Sequence, residues 1–149
     1  MIKTNCFLSK PKNMNSHIVY NYSTLFFKLG LIFWNRIEVY NEHLIPKSGG
    51  VLIVSNHASY LDPPIIGVGA RYRPVHFMAR DTLWNSTFGK WWLNNVGCIP
   101  VSRGTGDITA LKKSINLLKG GNVLSIFPEG TRSDDGKIKK FKSGIGFII

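Results

Sequence analysis

The stretch from residue 51 to residue 64, VLIVSNHASYLDPP, constrains the fold of this chain more than any other. Residues 51–55 form an apolar run after the turn signal Gly49-Gly50, which predicts a short buried strand. Asp62 stands directly before two prolines, and an acidic N-cap followed by proline at the first helical position typically begins a helix. We therefore expect the chain to bend sharply between a strand end and a helix start.

That bend brings two ionisable side chains within reach of each other. His57 lies at the end of the predicted strand and Asp62 at the start of the predicted helix. The carboxylate can then meet one imidazole nitrogen and leave the other nitrogen facing a cleft. Histidine exchanges protons near neutral pH, so this pair is suited to general-base catalysis. The alternative is an aspartate that only caps a helix and a histidine that only ends a strand.

The rest of the chain alternates between strand and helix patterns, which predicts an α/β domain with a layered sheet flanked by helices. The other strand candidates are residues 37–40, 75–78, 98–102 and 123–127. The helix candidates are residues 19–36, 63–71, 81–90 and 107–119, with Asp81 as the cap of the third. The fourth helix has the clearest apolar face, formed by Ile108, Leu111, Ile115 and Leu118.

The charge of the chain limits the class of its partners. Its 149 residues include 19 Lys and Arg against 8 Asp and Glu, a formal net charge of +11. Such an excess predicts an anionic partner, which is a nucleic acid, an acidic lipid surface or a phosphorylated substrate. The basic residues are scattered and no recognition motif is present, which argues against nucleic acid. Cys6 and Cys98 cannot make a disulfide framework, and this fits a reducing, cytoplasm-facing location.

Residues 1–36 are predicted to be a polar N-terminus followed by an amphipathic or hydrophobic helix at a membrane interface. Residues 19–36 are dense in aromatic side chains, and Trp34 and Tyr20 are suited to anchor the helix among lipid headgroups. The apolar stretch 25–34 is shorter than the ~20 residues that cross a bilayer. We therefore expect peripheral or monotopic association with an anionic membrane surface on the cytoplasmic face. The alternative is a helix packed on the domain core.

Polar residues follow three of the predicted strands: His57 with Asp62, then Arg103, then Glu129. Open α/β sheets bind ligands beyond the carboxyl ends of their strands. The sequence has no G-x-S-x-G elbow and no G-x-x-x-x-G-K-[ST] phosphate loop, and neither H-E-x-x-H nor paired cysteines predicts a metal site. A base without a nucleophile of its own suits direct attack by a hydroxyl group of the substrate.

Three blocks carry a resemblance to a known family. Residues 56–62, NHASYLD, resemble the N-H-x-x-x-x-D motif of the glycerolipid acyltransferases, the family of 1-acylglycerol-3-phosphate O-acyltransferases, or lysophosphatidate acyltransferases. Residues 127–133, FPEGTRS, match that family's F-P-E-G-T-R-S block. Residues 97–103, GCIPVSR, are similar to its G-x-x-x-[VI]-x-R block, with Ser102 where an acidic residue is often found.

The resemblance covers roughly residues 37 to 147 and implies a glycerol-3-phosphate acyltransferase-like α/β domain over residues 37–149. The family's fourth block, a V-P-[IV]-x-P-like segment, would lie beyond Ile149. We therefore expect this domain to be incomplete and the chain to be truncated at its C-terminus.

The same resemblance implies transfer of a fatty acyl group from acyl-CoA or acyl-carrier protein to the free hydroxyl of 1-acylglycerol 3-phosphate, giving phosphatidate in phospholipid synthesis without a cofactor. His57 would be the catalytic base and Asp62 would orient it. The residues implied to bind substrate are Arg103, Glu129, Gly130, Thr131 and Arg132. Two alternatives stay open: another acceptor, such as glycerol 3-phosphate or a different lysophospholipid, or a non-catalytic basic peripheral protein that binds anionic lipid.

Overall fold

A four-stranded parallel sheet forms the centre of the molecule. The computed structural model describes residues 14–70, 72–102 and 107–148. The strands have the spatial order β1-β4-β2-β3, and every neighbouring pair is parallel. Their bounds are Val51–Val54 for β1, Val75–Arg80 for β2, Ile99–Val101 for β3 and Val123–Ile126 for β4. The predicted α/β class is confirmed, and four of the predicted strands agree with the observed ones to within two residues at each end.

Helices connect and cover this sheet. The α-helices of the described ranges are α1 (Met14–Asn35), α2 (Asp62–Gly69), α3 (Thr87–Asn95) and α4 (Ile108–Lys119). Short 3₁₀ helices span Glu42–Leu44, Asp81–Asn85 and Ser143–Phe147.

Strand β4 is packed on both faces, which explains why it is apolar almost throughout. On one face Val123 packs with Ala70, which follows the last residue of α2. On the other face Leu124 and Ile126 pack with Ala110 of α4. Parallel strands buried on two sides have this near-continuous hydrophobic character. The domain therefore has an apolar core on each side of β4.

Residues 37–40, which were predicted to form a strand, lie outside the sheet and form an extended connection. Arg36 and Asn41 flank the segment with left-handed backbone conformations, φ 48° and 59°. The side chains of Val39 and Tyr40 are 42% and 78% exposed. An alternating pattern of side chains is typical of an extended connection as well as of a strand. The pattern does not show whether the segment forms hydrogen bonds with a neighbouring strand. The prediction is therefore wrong here.

Two predicted helix caps are also wrong. Helix α2 begins at Asp62 itself, with Leu61 in the N-cap position and no side-chain cap. Asp81 begins a 3₁₀ helix, and the cap of α3 is Ser86, whose hydroxyl oxygen accepts a hydrogen bond from the amide of Gly89 at 2.9 Å. An aspartate before a helix has several backbone amides within reach, and the local sequence does not show which of them its carboxylate meets.

Helix α4 begins within one residue of the predicted start, and most of its predicted apolar face is partly buried. The Asp107 side chain accepts a hydrogen bond from the amide of Ala110 at 2.9 Å and caps the helix. Ala110 and Ser114 are buried against the sheet, whereas Ile108 is 65% exposed. Ile108 therefore lies outside the core, whereas Leu111, Ile115 and Leu118 of the predicted face are partly buried.

Helix α1 packs on α2 and α3 through part of its circumference. The hydroxyl of Tyr20 accepts a hydrogen bond from the amide of Val75 at 2.9 Å, and Ser23 accepts one from the indole of Trp92, also at 2.9 Å. Burial raises the pKa of Tyr20, although the bond from Val75 opposes this effect. Tyr20 is therefore part of the packed domain, and its predicted role as a lipid anchor is wrong.

The outer side of α1 stays apolar and exposed. Its exposed large side chains are Ile18, Tyr22, Leu25, Phe26, Leu29, Ile32, Phe33 and Trp34. A groove of about 610 Å³ runs between α1 and α3, with Phe26, Phe88 and Trp91 among the residues that line it. Within the described ranges, no helix has both the length and the hydropathy that crossing a bilayer requires.

We predict that Tyr20→Phe lowers the free energy of unfolding by about 1–3 kcal/mol, because it leaves the partly buried amide of Val75 without its acceptor. Urea unfolding of the variant and the parent chain measures the difference. Tyr22→Phe is the matched control on the same helix, since Tyr22 is 70% exposed. Equal losses in the two variants would contradict the packing role of Tyr20.

Candidate active site

The site is built where two neighbouring strands end. β1 and β4 are adjacent and in register, with Val51 opposite Val123 and Val54 opposite Ile126. The pairing continues one step further, because the amide of Ser55 donates to the carbonyl of Ile126 at 3.2 Å. Adjacent parallel strands lie about 4.8 Å apart, so the loops that leave their carboxyl ends begin side by side. One of these loops carries His57 and the other carries Glu129.

The bend after β1 brings the carboxylate of Asp62 into contact with the imidazole ring of His57. Nδ1 of His57 lies 2.7 Å from Oδ2 of Asp62, and each side chain is 19% exposed. The same carboxylate oxygen accepts hydrogen bonds from the amides of Ala58 at 2.7 Å and Ser59 at 2.8 Å. An ionised carboxylate only accepts hydrogen bonds, so Nδ1 carries a proton, and in the neutral form of the ring Nε2 then keeps its lone pair. The contact that the sequence predicts between the two side chains is therefore present.

The pKa of the Asp62 carboxyl reflects the same set of contacts. Burial on its own raises this pKa, but hydrogen bonds from the Ser59 amide, the His57 ring and the Ala58 amide outweigh burial and hold it below its ordinary value. Asp62 is therefore ionised at neutral pH. An ionised partner stabilises a proton on the imidazole ring and fixes which nitrogen carries it.

A stacked aromatic ring fixes the imidazole from the β4 side. The ring of Phe127 lies almost parallel to that of His57, with centroids 4.0 Å apart and an interplanar angle of 15°. Asp62 and Phe127 together hold the ring in one orientation, from its edge and from its face. Sequence analysis did not single out Phe127 as a contact, although the adjacency of β1 and β4 would have indicated it.

Glu129 connects the two loops through its carboxylate. Oε1 accepts a hydrogen bond from the amide of His57 at 3.0 Å, and Oε2 accepts one from the amide of Lys139 at 3.0 Å. Glu129 is only 4% exposed. The amide of Ser133 donates to the carbonyl of His57 at 2.7 Å, so the β4 loop holds the backbone of His57 at both its amide and its carbonyl.

Three more of the residues predicted to bind substrate follow Glu129 directly in the β4 loop. Gly130 has φ +66°, and both Thr131 and Arg132 are exposed. The guanidinium of Arg132 lies 3.5 Å from the centroid of the Tyr60 ring and donates to the Tyr60 hydroxyl at 2.7 Å. Tyr60 belongs to the bend between His57 and Asp62, and no sequence pattern had marked it. Arg132 is thus held against the loop that carries the imidazole.

The third predicted strand end lies apart from these two. β3 lies at the edge of the sheet opposite β1, and β2 separates it from β4. Before β3, Gly97 has φ +73°, and its carbonyl lies 2.8 Å from Nδ1 of His76. A Cβ at Gly97 would stand 2.4 Å from that nitrogen, so a side chain does not fit. Arg103 lies outside the described residues, and its role stays a prediction.

Comparison with known proteins places the chain in a family. The family model described as "Acyltransferase" matches residues 36–149. The chain belongs to the acyltransferase family. In structure the domain is similar to a 1-acyl-sn-glycerophosphate acyltransferase from Thermotoga maritima, with a TM-score of 0.68 and 26% identity over 94% of this chain and 57% of that one.

Relatives in sequence carry a related name. A 1-acyl-sn-glycerol-3-phosphate acyltransferase from Bacillus subtilis is 32% identical over 105 residues, which are 70% of this chain and 53% of that protein. The alpha form of the enzyme from Homo sapiens is 35% identical over 114 residues, 73% of this chain and 39% of that protein. The chain thus spans about half the length of the Bacillus subtilis protein and less than half the length of the human one.

We predict that Glu129→Gln lowers the free energy of unfolding by about 1–3 kcal/mol. A glutamine has one acceptor oxygen, so its NH₂ group would face the amide of His57 or that of Lys139 and one bond would be lost. Urea unfolding measures the difference. Glu38→Gln is the control, because Glu38 is exposed. A loss no larger than that of the control would mean that Glu129 does not hold the two loops together.

We also predict that Asp62 stabilises the fold in a pH-dependent way. Its pKa is lower in the folded chain than in the unfolded one, so its contribution is present at neutral pH and is lost as pH falls through the folded value, below about 4. Asp62→Asn does not ionise, so its deficit in unfolding free energy relative to the parent is largest at pH 7 and shrinks toward pH 3. Chemical unfolding across this range is the measurement, and a deficit that stays constant would refute the prediction.

Proposed function

We propose that this chain carries the catalytic centre of a lysophosphatidate acyltransferase. It transfers a fatty acyl group from acyl-CoA or acyl-carrier protein to the free hydroxyl of 1-acylglycerol 3-phosphate, and the product is phosphatidate. The observation that supports this most is the contact between His57 and Asp62 at the end of β1, which leaves Nε2 of the ring with its lone pair. The names of the relatives support this choice of acceptor.

The proposed reaction is a direct transfer. Nε2 of His57 takes the proton of the acceptor hydroxyl as its oxygen attacks the thioester carbonyl, so a C–O bond forms. The tetrahedral intermediate then collapses, the C–S bond breaks, and the thiolate takes the proton back from the imidazolium. Asp62 is ionised and stabilises the imidazolium while it exists. A general base of this kind contributes about 10²–10⁴ in rate.

The β4 loop supplies the proposed acceptor site. We assign Gly130, Thr131 and Arg132, together with Arg103, to binding of the glycerol phosphate. A guanidinium binds phosphate through paired N–H donors, which gives orientation as well as affinity. Glu129 contributes differently from the direct contact that the sequence resemblance implies, because its two oxygens already accept amides of the protein. We assign it to positioning the loop that carries His57.

We further propose that the outer side of α1 rests on an anionic membrane at its cytoplasmic surface. Phe26, Phe33 and Trp34 are 74%, 80% and 90% exposed, which leaves a large apolar surface without cover among the described residues. The net charge of +11 favours a negatively charged lipid layer. Lysophosphatidate, an amphiphile that partitions into lipid layers, would then be close to the site.

The decisive experiment measures acyl transfer from radiolabelled acyl-CoA to lysophosphatidate. We predict that His57→Ala lowers kcat by at least about 100-fold. His43→Ala is the control, because His43 is exposed and distant in sequence from both site loops, and it should retain parental turnover. Circular dichroism of each variant checks the fold. Retained turnover in His57→Ala would contradict the proposed function.

A second candidate function is a non-catalytic protein that binds anionic lipid, which the apolar face of α1 and the charge support without any chemistry. Sedimentation with anionic vesicles separates the two. If the parent chain binds vesicles but transfers no acyl group, the binding function is correct. If it turns over substrate and His57→Ala binds vesicles as well as the parent, catalysis and membrane association are separate properties.

A further inference from the structure

Lys142 lies outside the three motif blocks, but its backbone is held against one of them. The amide of Lys142 donates to the carbonyl of Pro128 at 2.9 Å. Three residues earlier, the amide of Lys139 donates to Oε2 of Glu129 at 3.0 Å. Residues 139 to 142 are therefore bound at two points to the turn that follows β4. The same Glu129 carboxylate binds the amide of His57, so Lys142 and the imidazole belong to one junction.

The side chain of Lys142 passes directly over Gly130. A Cβ built on Gly130 would stand 2.6 Å from Cε and 2.9 Å from Nζ of Lys142. Gly130 also has φ +66°, a conformation that residues with a Cβ rarely adopt. Glycine at this position therefore serves two purposes, since it permits the turn and leaves room for the lysine chain. The ammonium group lies against the motif turn as a result.

The ammonium group of Lys142 differs from that of the nearby Lys139 in its hydrogen-bond acceptors. Nζ of Lys139 donates to the carbonyl of Arg132 at 2.8 Å and to Oδ2 of Asp134 at 3.0 Å. Nζ of Lys142 has no acceptor among the residues that the structure describes, and its side chain is exposed. A cation that is placed by packing and has no anionic partner among those residues is suited to an anion from outside.

We propose that Lys142 binds the phosphate group of the acyl acceptor, as a second cation beside Arg132. This inference rests on the proposed acyl transfer for the identity of the phosphate. In lysophosphatidate the hydroxyl that reacts and the phosphate are carried by neighbouring carbons of glycerol. A hydroxyl placed at Nε2 of His57 therefore puts its phosphate close to the same junction. The phosphates of acyl-CoA are separated from the reacting thioester by the long pantetheine arm.

The test compares Lys142→Gln with Lys140→Gln, a neighbouring exposed lysine of the same segment. The probe is a water-soluble short-chain lysophosphatidate, and isothermal titration calorimetry measures its Kd. We expect Lys142→Gln to weaken binding about tenfold, the size of one charge-assisted contact, and Lys140→Gln to bind within twofold of the parent. Lys142→Arg should recover part of the affinity. The matching monoacylglycerol, which lacks the phosphate, should not distinguish the variants.

Kinetics give a second readout. In Lys142→Gln the KM for lysophosphatidate should rise while the KM for acyl-CoA and the melting temperature stay unchanged. Unchanged affinity for lysophosphatidate in Lys142→Gln would overturn the inference, and so would a rise in KM for acyl-CoA alone or a parent chain that does not bind the probe. His57→Ala separates the two proposals: binding that still depends on Lys142 in a chain without turnover supports this site whatever the fate of the proposed reaction.

Discussion

The pairing of β1 with β4 is the constraint on which the site depends. These strands are far apart in sequence, yet they lie side by side, and this brings the loop of His57 against the loop of Glu129. Without this pairing, Asp62 would still reach His57 through the short bend, but the backbone of His57 would lose its contacts to Glu129 and Ser133. The geometry of the site is thus set partly by the local bend and partly by the long-range strand pairing.

The buried carboxylate of Glu129 makes that pairing specific. A buried charge is costly unless it is fully hydrogen-bonded, and here each oxygen accepts a backbone amide from a different loop. In the observed arrangement of the two loops, both oxygens are satisfied. The junction is therefore sensitive to replacement of Glu129 by glutamine, although the two side chains have the same shape. The glutamine amide introduces a donor where only acceptors fit.

Local patterns were sufficient for the four strands of the sheet and for the meeting of His57 with Asp62, because both depend on a few consecutive residues. They were insufficient wherever the outcome depends on a distant segment. Residues 37–40 have a strand pattern but lie outside the sheet. Tyr20 has the character of a lipid anchor, but β2 offers its hydroxyl a buried amide. The positions of Phe127 and Glu129 against His57 follow from strand order, which a single sequence does not reveal.

The central claim is that Asp62 fixes the imidazole of His57 with the proton on Nδ1 and the lone pair on Nε2. Long-range ¹H–¹⁵N correlation spectroscopy of the folded chain, labelled on histidine and recorded well above neutral pH, reports this directly. His57→Ala identifies the signal. The account predicts that the neutral ring of His57 is the Nδ1–H tautomer. A neutral ring protonated on Nε2 would contradict it.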